Sequence, residues 1–264
     1  MRELYNWKAD VHSALPARGI ASLDDHSEER PDLTETESMA HSTRPIMLQK
    51  PTPEIQGQSP EYWTRNDSAF TWSDSWESAA SLIGSRQNIS PKRLVAPGPD
   101  AQQLDAMLRL AACAPDHGLL TPWRFIIVPQ QKRHLLAEVF ALALIDRDPG
   151  ATLEQIESAR EKAYRAPLLM LAVGRMHKAD PDIPHVERLI SAGCAIQNLI
   201  LAAHAMGFGT GLTSGQAMTS VRLKELFALQ TDELPLCCVN IGTVSKRKAA
   251  NRVRPEPAAF TSVL

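Results

Sequence analysis

Four stretches of this 264-residue chain carry side chains of types and spacings suited to chemistry. The first is Ala114-Pro-Asp-His-Gly-Leu-Leu-Thr-Pro-Trp-Arg-Phe-Ile-Ile-Val128. A helix stops there, a polar turn follows, and the chain enters the apolar, β-branched run Phe125 to Val128. Pro115 lacks the N–H that would continue the helix and pushes Ala114 out of helical φ/ψ. Asp116-His117-Gly118 therefore sets an imidazole on a turn, where function is found more often than packing. A polar turn between a helix and an inner strand suits a flat bound group. The second stretch, Ser85-Arg86-Gln87-Asn88, follows a helix C-terminus. Arg86 is either simply favoured by the helix dipole or is a planar guanidinium for a phosphate or ring carbonyl, with Gln87 and Asn88 reading donors and acceptors. The third, Lys246-Arg247-Lys248, comes directly after a strand. It reads as a solvated cluster or, converging with Arg86, as a phosphate clamp.

The fourth stretch, Gly207-Phe-Gly-Thr-Gly-Leu-Thr-Ser-Gly215, follows a long helix, so it does not fit the dinucleotide fingerprint, which follows a strand. It reads as a helix cap with an extended linker, or as backbone N–H groups with the Thr213 and Ser214 hydroxyls approaching a ring or phosphate. Neither G-x-S-x-G nor H-E-x-x-H occurs, and no Cys/His pair has nucleophile spacing. His177, Asp180, Asp182 and His185 share a Pro-rich loop that reads as solvated, so no metal is expected. The cysteines (113, 194, 237, 238) show no C-x-x-C and read as buried thiols, with Cys237 and Cys238 on opposite faces of a strand. His204, within an apolar helix, reads as a packed core or interface histidine. Cofactor-shaped loops without acid–base machinery imply that a bound organic group carries the chemistry.

The elements that must position these residues follow from periodicity. Asp74-x-x-Glu77 resembles a capping box opening a helix that Gly84 ends. Asp100 caps a helix over 101–114, with Leu104, Met107, Leu108 and Ala111 on one face. A strand covers 124–128, a helix Lys132 to Ile145, and Thr152-x-x-Gln155 opens another helix. Leu168 to Val173 is apolar throughout, hence an inner strand ended by Gly174. A helix from His185 to Met206 ends on Gly207 and carries small residues for close approach. A short helix covers Ser220 to Ala228, and Leu236 to Val244 is the last strong strand. The interleaving lacks a βαβ rhythm, which argues for an α+β arrangement of helices around a small sheet.

The composition, 44% hydrophobic and 22% charged, is that of a globular protein with a sizeable core. Residues 1–80 hold 7 Lys and Arg against 14 Asp and Glu, a charge of −7, and the remainder carries +5. That body is too weakly basic for nucleic acid but suits a small anionic ligand. Residues 1–73 read as a poorly structured extension and 74–264 as the domain, although four tryptophans in the first 76 residues (Trp7, Trp63, Trp72 and Trp76) argue that part of the extension docks on the body or a partner. No apolar run approaches a membrane span, since His204 closes the greasiest one, and no signal-peptide core is seen. A cytoplasmic protein is expected.

In this order, these pieces resemble the FMN-dependent nitroreductase family, particularly its compact single-domain branch. The resemblance covers about residues 79–264. It rests on Leu82-Ile-Gly-Ser-Arg-Gln87, Ala114-Pro-Asp-His-Gly-Leu-Leu-Thr-Pro-Trp-Arg-Phe125, Ser191-Ala-Gly-Cys-Ala-Ile-Gln197, Gly207-Phe-Gly-Thr-Gly211 and Asn240-Ile-Gly-Thr243. It implies an α+β fold with a central, mostly antiparallel sheet and an intertwined homodimer with FMN at the interface. The family's Arg-Arg-Ser loop falls on Ser85, Arg86 and Gln87. The arginine preceding its Ala-Pro-Asp-His falls on Cys113, and its Trp-Arg-Ser on Leu212, Thr213 and Ser214. His117 matches the histidine that reaches FMN from the partner subunit. Lys246, Arg247 or Lys248 would compensate for arginines lost at three family positions. Ala202, Ala203, His204, Ala205, Met206 and Gly207 occupy the place linked to NADH or NADPH. The implied activity passes hydride from NAD(P)H through FMN to a nitroaromatic, quinone or activated alkene. The alternatives are a flavin-binding sensor or partner-binding protein with little turnover, and an enzyme that consumes reduced flavin with oxygen.

Overall fold

The computed structural model describes residues 73–176, 182–247 and 253–264. The extension expected over 1–73 lies outside them, save Ser73. Six α-helices are seen in the described residues: α1 (Asp74–Ser85), α2 (Ala101–Ala111), α3 (Arg133–Arg147), α4 (Leu153–Glu161), α5 (His185–Ala205) and α6 (Val221–Leu226). Five strands join them: β1 (Leu94–Val95), β2 (Trp123–Ile127), β3 (Leu168–Arg175), β4 (Gly209–Thr213) and β5 (Glu233–Val244).

All the strand ladders are antiparallel, in the order β1-β5-β3-β2, with β4 also paired to β5. The α+β reading with a mostly antiparallel sheet is thus correct. The twelve-residue β5 is the spine of the sheet. It pairs with β3 from Leu168↔Ile241 to Arg175↔Glu233, with a register shift between Ala172 and Val173 where Pro235 sits. A bulge is where a strand tolerates a residue without an N–H.

The alternation of β3 divides the core. Met170 and Ala172 face α2 and α5, where Met107, Leu199, Ile200, Ala203, Cys237, Val239 and Ile241 are buried. Leu169, Leu171 and Val173 face the other way, against Leu136 of α3, Leu223 of α6 and Cys238. Cys237 and Cys238 therefore do lie on opposite faces, and burial pushes their thiols up to about 11 and about 12. The expectation of four buried thiols fails at Cys113, which is exposed, and in part at Cys194, which is half-buried.

Local signals set the element ends. Asp100 accepts from the Gln103 N–H while the Gln103 side chain accepts from the Asp100 N–H, and Thr152 with Gln155 repeats this box. At α1 the expected cap is corrected: Ser73, not Asp74, accepts from the Trp76 N–H. Gly84 lies inside α1, which ends one residue later at Ser85. Helix α2 stops at Ala111, before Ala114. Gly207 has φ +86 just past α5, as the cap reading requires.

Helix α5 corrects another expectation, since its 21 residues are long and apolar enough to cross a membrane by composition. Ala192, Ala195, Leu199 and Ala203 are fully buried under the sheet, which is the packing of a core helix. One feature had no sequence signal. The buried Arg133 guanidinium donates to the carbonyls of Val128 (2.8 Å), Ala163 (2.6 Å) and Pro167 (3.2 Å), tying α3 to the chain on either side.

Candidate functional site

The end of α1 and the end of α5 meet. Ser85 Oγ donates to the Ser81 carbonyl at 2.6 Å and lies 2.9 Å from His204 Nε2. A hydroxyl has one hydrogen, and the shorter bond claims it. Ser85 therefore accepts from His204 Nε2–H, which fixes the imidazole tautomer. Around this pair opens a crevice of about 40 Å³ lined by Gln87, Ile89, Phe208, Gly209, Thr210, Val244 and Arg247. Among the described residues, no Asp or Glu lines it. Burial, then the charges of Arg247 and Arg86, hold the His204 imidazole below its ordinary range.

Two further arginines bond the main chain of residues next to the crevice lining. Arg254 donates to the Arg86 carbonyl at 3.4 Å, and Arg93 donates to the Lys246 carbonyl at 3.2 Å. Ser245 binds the Arg93 carbonyl through both its N–H and its Oγ, fixing where the chain leaves β5. Of the expected clamp, Lys246 and Arg247 are exposed at this end of β5, and Lys248 lies outside the described residues.

Strand β4 forms the next wall, and its existence corrects the linker reading of 207–215. Leu212 N–H donates to Asn88 Oδ1 at 3.0 Å, and Asn88 bridges Thr210 in parallel. Buried Asn240 donates to the Gly211 carbonyl and to Thr213 Oγ1, both at 3.1 Å. Leu212, Thr213 and Ser214 are exposed at the end of β4. A Cβ on Gly211 would run into the Ile89 carbonyl, so only glycine lets this loop lie against the strand.

Of the segment linked to the nicotinamide, Ala202 and Ala203 are in the core and offer no surface to a ligand. Ala205, Met206 and Gly207 are exposed, and His204 is half-buried toward Ser85.

Cys113 and His117 lie elsewhere. His117 Nδ1 is 2.7 Å from Glu187 Oε2, on the first turn of α5. Its loop is tightly specified: Asp116 Oδ2 accepts from the Thr121 N–H at 2.6 Å, and Gly118, Leu119 and Thr121 all have positive φ. Such backbone clusters at functional sites. Trp123 behind the loop packs on Ala114, Ala192 and Ala195. Glu187 and His204 are 17 residues apart on one helix, about 25 Å at 1.5 Å per residue. A single chain therefore does not bring His117 to the Ser85–Arg247 crevice. Of the loop read as solvated, His177 and Asp180 lie outside the described residues, among which no cluster suited to a metal is found.

A second cavity, of about 300 Å³, lies beyond that loop, lined by Leu120, Pro122, Arg175, Arg188, Gln230, Asp232 and Glu233. Its acids and bases largely offset one another. Burial would raise the Glu233 carboxyl, but two Arg124 hydrogen bonds (2.6 and 2.7 Å), the Gln230 N–H and nearby Arg175 hold it below the usual range.

The sequence profile of the Nitroreductase family matches residues 90–243. The chain belongs to the nitroreductase family. A Haemophilus influenzae protein bearing the provisional name NAD(P)H nitroreductase is 34% identical over 165 residues, covering 62% of this chain and 88% of that one. A nitroreductase-like protein of Bacillus cereus shares the fold, with TM-score 0.62, 15% identity and coverage of 74% and 98% of the two chains. So does an iodotyrosine deiodinase solved with FMN and 3-iodo-L-tyrosine (TM-score 0.53, 19% identity, 69% and 98%). Within this nitroreductase frame, the sequence had singled out Ser85, Arg86, Gln87 and the 246–248 cluster. It missed Glu187, Asn240, Arg93 and Arg254. Asn240 lay within a quoted motif, and a lone amide in an apolar strand run was the available signal.

Proposed function

We propose that this protein is an FMN-dependent oxidoreductase that passes hydride from NADH or NADPH to an electron-poor acceptor such as a nitroaromatic, a quinone or an activated alkene. One observation carries the reading: Ser85, His204 and Arg247 line one crevice, the Arg86 charge reaches the same imidazole, and among the described residues no carboxylate lines it. That donor set fits a phosphate monoester, which carries close to two negative charges at neutral pH. At about 40 Å³ the crevice has room for a phosphoryl group but not for a tricyclic ring. The ring would lie outside it, beyond the exposed ends of β4 and α5.

When bound, FMN would supply the two-electron chemistry that no side chain here provides. The protein's part is positioning. Arg86 and Arg247 neutralise the phosphate, with Lys246 and Lys248 as reserve cations. Gln87 and the exposed Leu212-Thr213-Ser214 backbone and hydroxyls bond the ribityl chain or ring edge. Cys113 stands where family members carry an arginine. Its thiol cannot replace that charge, which throws more of the anchoring onto the Arg86–Arg247 side.

His117 would be donated by a second copy of the chain, which the 25 Å separation on α5 favours. Exposed Val186 and Ile190 on α5, with Phe260 and Val263 near the C-terminus, are the apolar surface such a homodimer would cover. The surface at Ala205-Met206-Gly207 remains the candidate for nicotinamide contact. No acid–base side chain needs to act on the acceptor for hydride delivery, so orientation sets the rate.

A steady-state assay of the purified protein with NADH and NADPH against a panel of nitroaromatics, quinones and enones tests this reading. Turnover with at least one acceptor is expected. FMN retention with negligible turnover across the panel would instead favour a flavin-binding sensor.

A further inference from the structure

We propose that the Ser85–Arg247 crevice is a proton-coupled anion site, in which His204 joins Arg86 and Arg247 as a third cation when a phosphoryl dianion enters. The inference deepens the phosphate reading above and rests on it for the identity of the natural ligand. His204 sits within the cationic cluster itself, bonded to the first residue of the Ser85-Arg86-Gln87 loop. The groups facing it can be named element by element. From the end of α1 come Ser85 and Arg86, and from the end of β5 comes Arg247. Strand β4 contributes Gly209 and Thr210, and Phe208 precedes it; none of the three carries a charge. Among the described residues both charged neighbours are cations, and they oppose a third positive charge for as long as the crevice holds water alone.

A dianion reverses that balance. Its two charges cancel those of the two guanidinium groups that opposed a charged imidazole, so His204 becomes more easily charged beside it. The proton comes from the buffer and goes to Nδ1, because Nε2 already carries the hydrogen donated to Ser85. The Ser85 bond survives, so the crevice gains charge without rearranging. Sequence reading had assigned this histidine to packing or to the nicotinamide segment. Its bond to Ser85 moves it to the phosphate end.

The test is calorimetry on the full-length chain freed of flavin, with FMN or riboflavin as titrant, near pH 7.5 in buffers of different ionisation enthalpy. FMN is expected to take up a substantial fraction of a proton with the wild type, and His204→Gln is expected to abolish that uptake. Riboflavin, lacking the phosphate, should show no such uptake with either protein. The FMN affinity of the wild type should tighten about three- to tenfold between pH 8 and pH 6.5 relative to His204→Gln, up to the tenfold per pH unit that one linked proton permits.

Equal proton uptake in wild type and variant overturns the proposal. A second measurement stands apart from the flavin reading and from the variant's folding. The imidazole NMR signals of wild-type His204 are recorded in inorganic phosphate and in chloride at matched ionic strength. If FMN fails to bind yet phosphate shifts His204 toward its charged form, the anion site stands and the flavin reading falls. No shift with phosphate, together with no FMN-linked uptake, sinks the anion site.

Discussion

Glu187 Oε2 lies 2.7 Å from His117 Nδ1, so the first turn of α5 sets the direction of an imidazole borne by the Ala114–Val128 loop. The side chains are 67% and 41% exposed, which limits the pair to at most about 1 kcal/mol of stability. Its consequence is orientation. With Nδ1 held by the carboxylate, Nε2 is the ring nitrogen beyond that contact.

That arrangement predicts complementation between subunits. Homodimers of His117→Ala and of the double variant Arg86→Ala, Arg247→Ala should each lose most of their turnover. A mixed dimer with one subunit of each kind should regain about half the wild-type activity, because one of its two sites then combines an intact crevice with an intact imidazole. No recovery in the mixed dimer would place His117 and the crevice of one chain at the same site, against the separation along α5.

The His204 environment predicts a pH dependence of stability in the flavin-free protein. The folded state binds this proton less readily than the unfolded chain, so unfolding takes a proton up. The stabilisation from a neutral His204 is present above the unfolded value, near 6.5, and is lost as pH falls through the lower folded value. Thermal melts from pH 8 to pH 5 should therefore show a steeper fall for wild type than for His204→Gln. Parallel curves would show that the folded protein does not disfavour the charged imidazole.

Arg124 and Glu233 make a bidentate pair in which the carboxylate is 8% exposed. Arg124→Met leaves that carboxylate with the Gln230 N–H at 3.1 Å and, more distantly, Arg175 at 3.8 Å. The expected cost is about 3 kcal/mol, typical of stripping one partner from a buried pair. That corresponds to a fall in Tm of roughly 6–12 °C for a domain of this size. Glu233→Gln in the same background should restore part of the loss, which a simple packing defect at Arg124 would not allow.

Gly118 has φ +75, and a Cβ there would stand 2.5 Å from Ile183 Cδ1. Gly118→Ala is expected to cost about 1–2 kcal/mol from the left-handed backbone alone, with the clash in addition. Because His117 adjoins it, turnover should fall as well. Adding Ile183→Val removes the clashing methyl but not the φ penalty, so the double variant should recover only part of the stability.

The sequence made some of this legible for identifiable reasons. The boxes at Asp100 and Thr152 were readable because the cap and its partner lie within one helical turn. The division of the core was readable at Cys237 and Cys238 because adjacent strand residues must face opposite ways. Ser73 and Asp74 are both good caps, and composition alone could not choose between them. Strand β4 was hidden because its glycines lower strand propensity, whereas the approach of the Ile89 carbonyl requires Gly211. At the site, Arg86 and the 246–248 cluster stood out by charge. Ser85 and His204 are 119 residues apart, and only the packing of α1 on α5 brings them together. Glu187 was equally invisible, because its partner His117 lies 70 residues away in the chain.

The most direct test of the account is the absorbance spectrum of the full-length protein after saturation with FMN and removal of the free flavin. The account predicts a retained flavin band equivalent to one FMN per chain, lost on addition of NADH or NADPH and restored by a nitroaromatic or a quinone. A colourless protein that acquires no band from FMN would contradict it.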